Sequence, residues 1–196
     1  MRSFVLSFVA LGLAAGTAHA QPGAHASAPR LRMGLELGVG LQVGQISCES
    51  EGDFCNDFTE AGGLNLNAAY FVNPRLGIAL DLWGMSHTED NFTFTHIVNT
   101  VGVKWRPIPI LTLSAGVGAA HAQAQYNGVV LATARSEDAF AVMGAASLDV
   151  IRARRWALSV EGRFGTGFYG DDNDNNTADV VGRNAGLGAG FTFFGF

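Results

Sequence analysis

The sequence lacks any apolar run of the ~20 residues that a transmembrane helix requires, although 48% of its 196 residues are hydrophobic. The nearest approach lies at the start of the chain. There the basic Met1-Arg2-Ser3 precedes an apolar stretch from Phe4 to Ala15 and an A-x-A cleavage site at Ala18-His19-Ala20. This pattern predicts a secretory signal peptide over residues 1–20, and therefore an exported protein. A second A-x-A at Ala24-His25-Ala26 leaves the mature start open by a few residues.

Cysteine is also scarce, with only two in the chain. Cys48 and Cys55 enclose a short acidic segment, and in an oxidising periplasm we expect them to form a disulfide. A ring this small contributes about 2.5 kcal/mol, so the bond would stiffen one loop rather than hold the fold. Two free cysteines remain the alternative. The pair offers too few ligands for a metal site.

In place of helices, the mature part shows alternation of apolar and polar residues that repeats eight times. In the first repeat, Met33 to Gly44, large aliphatic residues share one face and glycine takes most positions on the other. A narrow barrel lumen accounts for the glycines, because side chains crowd there. The pattern predicts an all-β fold, an eight-stranded antiparallel up-and-down transmembrane β-barrel over residues 31–196, after a disordered lead-in at 21–30. The other strands are predicted at about 63–72, 76–85, 94–105, 110–121, 139–151, 156–166 and 183–194. In the fourth, Asn99 falls on the apolar face.

The connections between these strands alternate in length and in charge. Outer-membrane barrels have short periplasmic turns and longer external loops. The turns carry arginine and no acid, whereas the loops hold thirteen of the seventeen acids of the chain. Both features predict that the long acidic loops lie outside the cell. The tight turns are predicted at 73–75, 106–109 and 152–155, and the loops at about 45–62, 86–93, 122–138 and 166–182.

The leader, the eight alternating strands and the aromatic end Phe191-Thr192-Phe193-Phe194-Gly195-Phe196 together resemble the OmpA/OmpX-type small outer-membrane β-barrels over essentially the whole mature chain. The resemblance implies that Phe196 is the signal for the barrel-assembly machinery. Phe194 and Phe196 fall out of phase with the apolar face, so we expect the last strand to bulge or fray there. The resemblance covers the barrel domain only, and we expect no peptidoglycan-binding domain.

Six charged residues fall on the inward face of the predicted strands. Charges buried in a narrow barrel are costly unless they are paired. We therefore expect one polar cluster that plugs the lower lumen, with the two cations each shared among several carboxylates. Because the acids outnumber the bases, at least one carboxylate should be protonated or bridged by water. The six residues are Glu36, Asp81, Lys104, Asp149, Glu161 and Arg163.

Three other functions were compared with a structural barrel. A lipid-modifying enzyme would need serine, histidine and an acid held together, and Ser86-His87-Thr88-Glu89 supplies the types but on opposite faces of a strand end. The acidic run from Gly170 to Asn176 lacks the glycine and glutamate of an EF-hand, which leaves weak divalent cation binding. A soluble lipocalin-like barrel would place the apolar faces inward, and the glycine-rich polar faces would then make a poor solvent surface.

The sequence therefore predicts a non-enzymatic barrel of the bacterial outer membrane, with a structural or surface-interaction role and a narrow, plugged lumen. Its expected partners are outer-membrane lipid, the assembly machinery through Phe196, and weakly bound divalent cations at the acidic loops. Nothing in the sequence identifies a cofactor, a catalytic residue or a nucleic acid.

Overall fold

The structure is a computed structural model that describes residues 33–49, 59–126, 129–134, 139–169 and 180–195. Among these residues, no helix is long and apolar enough to cross a membrane. The described residues form nine strands: β1 (Gly34–Glu49), β2 (Thr59–Phe71), β3 (Leu76–Glu89), β4 (Phe92–Ile108), β5 (Leu111–Tyr126), β6 (Val129–Ala134), β7 (Phe140–Arg152), β8 (Trp156–Tyr169) and β9 (Val180–Phe194).

Eight of the strands close into an antiparallel barrel. Each pairs with its neighbour along the chain, β5 pairs with β7, and β1 pairs with β9 to close the ring. The short β6 pairs with the last residues of β5, from Ala122 to Tyr126. There it forms a hairpin with β5 beyond the part of β5 that pairs with β7. The predicted eight-stranded barrel is confirmed, and β6 is an addition that the sequence did not predict.

The strand registers define how strongly the barrel is sheared. Following the paired residues once around the ring from Phe168 leads back to Leu158 on the same strand, an offset of 168 − 158 = 10 residues. With a rise of ~3.3 Å per residue and strands ~4.8 Å apart, this offset corresponds to a tilt of about 40°. The residues on this path are Phe140, Ala119, Asn99, Leu82, Leu66, Val39 and Phe191.

The predicted faces of the strands are confirmed. The alternating aliphatic residues of β1, β2 and β3 point away from the interior and are exposed, as are the aromatic residues Tyr70, Trp105 and Trp156. An apolar outer wall is what a lipid-facing barrel requires. It also contradicts the lipocalin-like arrangement, in which these residues would line the interior.

The ends of the strands differ from the prediction. The strands extend further than expected toward the end that is predicted to lie outside the cell (the external end), and a two-residue turn at Asp90 and Asn91 replaces the predicted loop over 86–93. Asp90 has a φ of 52°, as hairpin turns of this length require. At the other end, the turn predicted at 106–109 lies at Pro109 and Ile110, because β4 continues to Ile108.

At Phe194 the last strand neither bulges nor frays, contrary to the prediction, while Phe196 lies outside the described residues. The pairing of β9 with β1 continues without a register shift to Phe194, which pairs with Glu36. Phe193 is exposed on the outer wall, whereas Phe194 is buried in the interior. The prediction was wrong because an inward aromatic side chain can be accommodated where a partner in the lumen packs against it.

Several predictions concern residues outside those that the structure describes. They are the signal peptide at 1–20, the lead-in at 21–30, the acidic run from Gly170 to Asn176, the cysteine Cys55 and the terminal Phe196. These remain predictions. Cys48 lies near the end of β1, but its predicted partner Cys55 is outside the described residues. The disulfide therefore also remains a prediction.

Candidate functional site in the barrel interior

A buried polar network occupies the middle of the lumen. The guanidinium of Arg163 on β8 donates to Asp81 Oδ1 on β3 at 3.0 Å and to Glu161 Oε2 at 3.3 Å. The side chains of these three residues are at most 7% exposed. Hydrogen bonds between ionised groups are stronger than those between neutral groups. Here the carboxylates of Asp81 and Glu161 share the guanidinium of Arg163.

Neutral side chains extend this network across the barrel. Asn65 Nδ2 donates to Glu161 Oε2 at 3.3 Å, and Asn67 Nδ2 donates to Asn65 Oδ1 at 3.3 Å. Lys104 Nζ then donates to Asn67 Oδ1 at 2.6 Å. Lys104 was predicted to be shared among carboxylates, but its hydrogen bond goes to an amide, and no carboxylate of the described residues lies within ion-pair distance.

A second charged group lies at the opposite end of the lumen, which is predicted to face the periplasm (the periplasmic end). Arg106 on β4 forms a buried ion pair with Glu36 on β1. Its guanidinium lies over the ring of Phe71, 3.8 Å from the centroid, and 5.8 Å from the centroid of Phe194. Cation–π contacts of this kind are strengthened by burial.

Asp149 and Arg152 complete the second group. Arg152 Nη1 donates to Asp149 Oδ2 at 2.9 Å and also to the carbonyl of Pro109. The Arg152 guanidinium lies 4.9 Å from the ring centroid of Phe194. The guanidinium groups of Arg106 and Arg152 therefore both lie near the ring of Phe194.

The six predicted residues divide between these two hydrogen-bonded groups, and the single plugging cluster expected from the sequence stays a prediction. A cavity of about 30 Å³ lies between the groups, lined by Glu36, Lys104, Asp149, Glu161 and Arg163 among others. A cavity of this size can hold a water molecule. Within the described lumen four acids face four bases, since Arg106 and Arg152 join Lys104 and Arg163. The predicted excess of acid therefore does not exist.

The external half of the interior is apolar. Trp83 is completely buried and belongs to a cluster with Met85, Val98 and Met143. Gly165 makes room for the indole, because a Cβ there would lie 3.0 Å from Trp83 Cζ3. The crowding predicted from the glycine-rich faces is thus present, but large apolar side chains cause it in this half.

A histidine lies at the external end of this apolar half. His96 Nδ1 lies 2.7 Å from Asn184 Oδ1, and the ring packs edge-on against Tyr169 with centroids 5.9 Å apart. His96 Nε2 and Tyr169 Oη have no hydrogen-bond partner among the described residues. A Cβ at Gly182 would lie 2.8 Å from His96 Nε2, so the imidazole needs glycine beside it.

Of the side chains considered for hydrolysis, His87 and Glu89 lie together, with His87 Nε2 3.6 Å from Glu89 Oε2, whereas Ser86 has another partner. Ser86 Oγ lies 3.0 Å from Thr95 Oγ1, and His87 Nδ1 lies 2.7 Å from the carbonyl oxygen of Glu60. Across the described part of the chain, no group of three His, Cys, Asp or Glu side chains could hold a metal ion.

Sequence reasoning did not assign three residues of these interior groups to the lumen, namely Trp83, Arg106 and Arg152. Strict alternation from the outward Leu82 and Trp105 would have placed Trp83 and Arg106 inward. Arg152 carries no such signal, because a bulge between Asp149 and Ile151 reverses the alternation and turns its side chain inward.

Comparisons with known proteins agree with this geometry. The family model described as "Outer membrane protein beta-barrel domain" matches residues 8–193. The structure is similar to Ail, the attachment invasion locus protein of Yersinia pestis, with a TM-score of 0.53 at 18% identity over 82% of this chain and 100% of Ail. It is also similar to Neisserial surface protein A, with a TM-score of 0.55 at 14% identity over 81% of this chain and 96% of that one. No curated protein sequence matches the chain significantly.

Proposed function

Because the chain belongs to the outer membrane protein beta-barrel domain family, we propose that it is a non-enzymatic barrel with a lumen closed to ions and acidic loops outside the cell. In this role it contributes to the integrity of the outer membrane or binds partners at the cell surface.

One observation supports the proposal of a closed lumen, namely that side chains occupy the interior in three successive layers. The charged group around Arg106 and Phe194 occupies the periplasmic end, the network around Arg163 the middle, and the cluster around Trp83 the external half. Arg106, Phe194, Arg163 and Trp83, around which these layers are built, are each less than 9% exposed. An eight-stranded barrel is just wide enough for side chains to fill it.

Single-channel recording in planar lipid bilayers tests the closed lumen. We expect the parent protein to give no steady conductance. The double variant Trp83→Ala/Arg163→Ala, which removes the largest side chain from each of two layers, is the positive comparison and should give openings. Large, steady conductance of the parent protein would overturn the proposal.

The external end supports a surface-interaction role. β5 and β6 form a hairpin beyond the ring, where chain is available for contact with partners. Ail, a structural neighbour, has been solved in complex with the heparin analogue sucrose octasulfate. The external loops of this chain hold most of its acids and its net charge is −5, so a polyanion should be repelled. We therefore propose a neutral or basic partner.

Retention on immobilised heparin at low ionic strength tests the sign of the partner. The refolded protein should pass through unretained, and Ail provides the comparison. Retention that is lost on raising the salt concentration would show that the acidic loops do not dominate the external surface.

Two further parts of the proposal concern residues outside the described ranges. Phe196 is proposed as the contact for the barrel-assembly machinery. The acidic loops are proposed to bind divalent cations weakly, because carboxylates are the ligands that calcium and magnesium prefer.

A further inference from the structure

Exposed charges of opposite sign lie at the two ends of the barrel. At the periplasmic end, the exposed charged residues that the structure describes are Arg75, Arg154 and Arg155. The two acids at this end, Glu36 and Asp149, point into the lumen and are paired there with arginine. The described acids whose side chains are exposed all lie at the external end, namely Glu60, Glu89 and Asp90. The described periplasmic turns therefore present a positive surface.

These arginines lie at the level of the exposed aromatic rim. The carbonyl oxygen of Arg75 accepts the backbone N–H of Arg106 at 2.8 Å, and Arg106 directly follows the exposed Trp105. Arg154 lies two residues before Trp156, which is also exposed on the outer wall. Aromatic residues of this kind mark the level of the lipid headgroups. A long arginine side chain beside them can place its guanidinium among the headgroup phosphates.

The turn that carries Arg75 is held by its own side-chain cap. Asn73 Oδ1 accepts the backbone N–H of Arg75 at 2.8 Å and that of Leu76 at 2.9 Å, which is the hydrogen bonding of an Asx turn. The side chains of Arg75 and Arg154, by contrast, have no hydrogen-bond or ion-pair partner among the described residues. Both guanidinium groups are therefore available to an anion from outside the chain.

The two arginine-bearing turns lie on opposite sides of the barrel. One joins β2 to β3 and the other joins β7 to β8, so four strands of the ring separate them in either direction. At the tilt given above, an eight-stranded ring is about 16 Å across between backbones. One small anion cannot contact both turns, whereas lipid headgroups surround the barrel on every side. The arrangement therefore fits two separate headgroups better than one compact ligand.

We propose that the two turns bind anionic phospholipids of the periplasmic leaflet, one headgroup at Arg75 and another at Arg154 and Arg155 on the opposite side. A guanidinium donates two parallel hydrogen bonds to a phosphate, which makes arginine well suited to this contact. A zwitterionic headgroup carries its own cation beside the phosphate, so lipids with net negative charge should be preferred. Two contacts on opposite sides would fix the depth and the tilt of the barrel. The inference rests on the membrane orientation proposed above.

Native mass spectrometry of the folded barrel, titrated in micelles with phosphatidylglycerol or with phosphatidylcholine, tests these sites. The parent protein should retain phosphatidylglycerol in preference, with one molecule at each turn. Arg75→Gln and Arg154→Gln should each weaken retention of one molecule by about fivefold, the factor that one basic residue contributes near an anionic lipid surface, and the double variant should weaken both. Asn91→Asp is the matched control, because it lowers the net charge equally at an exposed external turn. It should leave retention unchanged.

Two further measurements complete the test. Arg75→Lys keeps the charge and should keep most of the retention that Arg75→Gln loses. In phosphatidylcholine vesicles, where no lipid carries net charge, loss of either arginine should leave the stability of the barrel nearly unchanged.

Three results would overturn the proposal. Equal retention of the two lipids by the parent, or unchanged retention in the double variant, would show that the turns bind no headgroup. Weakening by Asn91→Asp as large as that by Arg75→Gln would assign the effect to net charge and not to the turns. Cleavage at Arg75 by an external protease in intact cells would refute the assignment to the periplasmic leaflet, even where retention in micelles holds. The closed lumen is judged separately, by conductance.

Discussion

Replacing Arg163 by alanine removes the one cation that two buried carboxylates share. Asp81 has no other ion pair among the described residues, whereas Glu161 keeps its hydrogen bonds with Asn65 and Ser159. Removing one partner of a buried ion pair costs about 3–5 kcal/mol, because the remaining charge is left uncompensated. Most of this loss of stability should come from the uncompensated charge of Asp81.

Urea unfolding of the barrel in lipid vesicles, followed by tryptophan fluorescence, measures this loss. With a denaturant dependence of about 2 kcal/mol per molar urea, the midpoint of Arg163→Ala should fall by about 1.5–2.5 M. The double variant Arg163→Ala/Asp81→Asn should recover part of the loss, because the orphaned charge is removed with its partner. Arg154→Ala is the control, since Arg154 is exposed at a periplasmic turn and its loss should change stability by less than about 0.5 kcal/mol.

The reasoning is refuted if the midpoint of Arg163→Ala lies within about 0.3 M of the parent value, a difference too small for a broken buried pair. It is equally refuted if Asp81→Asn added to Arg163→Ala lowers stability further. In that case the carboxylate would have a second partner, and the network would not depend on Arg163.

Four other outcomes are expected. The folded protein should migrate differently on detergent gels before and after boiling, because all strand edges in the ring are paired, and a single position in both lanes would contradict a closed barrel. Trp83→Ala should lower the free energy of unfolding by about 3–5 kcal/mol and Trp83→Phe by much less, measured by urea unfolding, since the cavity left behind is what destabilises. Thiol labelling of the oxidised protein should find Cys48 and Cys55 unreactive until a reductant is added, whereas immediate labelling would show free thiols. External protease should leave Arg75 uncut in intact cells, and cleavage there would show that the barrel is inverted.

The strand pattern could be read from the sequence because lipid imposes it on every outward position. Leu35, Leu80 and Val160 each lie on a face where a polar residue would be desolvated without a partner, so alternation repeats with little interruption. The closed ring follows from the same requirement, since an open edge would leave backbone groups unpaired in hydrocarbon. Strand ends lie beyond the band, where this constraint is absent, and there the predicted boundaries were wrong.

The interior was less predictable from the sequence. Outward residues all face the same lipid, whereas each inward residue must fit the particular side chains that lie opposite it. Arg106 was placed in a turn because Pro107 and Pro109 follow it, yet β4 continues past the first proline to Ile108. Arg152 needed a bulge that no residue in the sequence specifies. Without these two arginines, the charges appeared unbalanced, and a protonated carboxylate was expected where the structure has a partner for Glu36 and for Asp149.

The inward glycines make room for large side chains in the described interior. A Cβ at Gly40 would lie 2.3 Å from Asn65 Nδ2, and one at Gly190 would lie 2.3 Å from Glu161 Oε1. Each of these two glycines therefore lies against a large inward side chain from a neighbouring strand, and gives it space. Gly165 does the same for Trp83 in the apolar half. Alternate small and large residues thus fit the narrow ring, with apolar side chains toward the end predicted to be external and ionic ones toward the end predicted to be periplasmic.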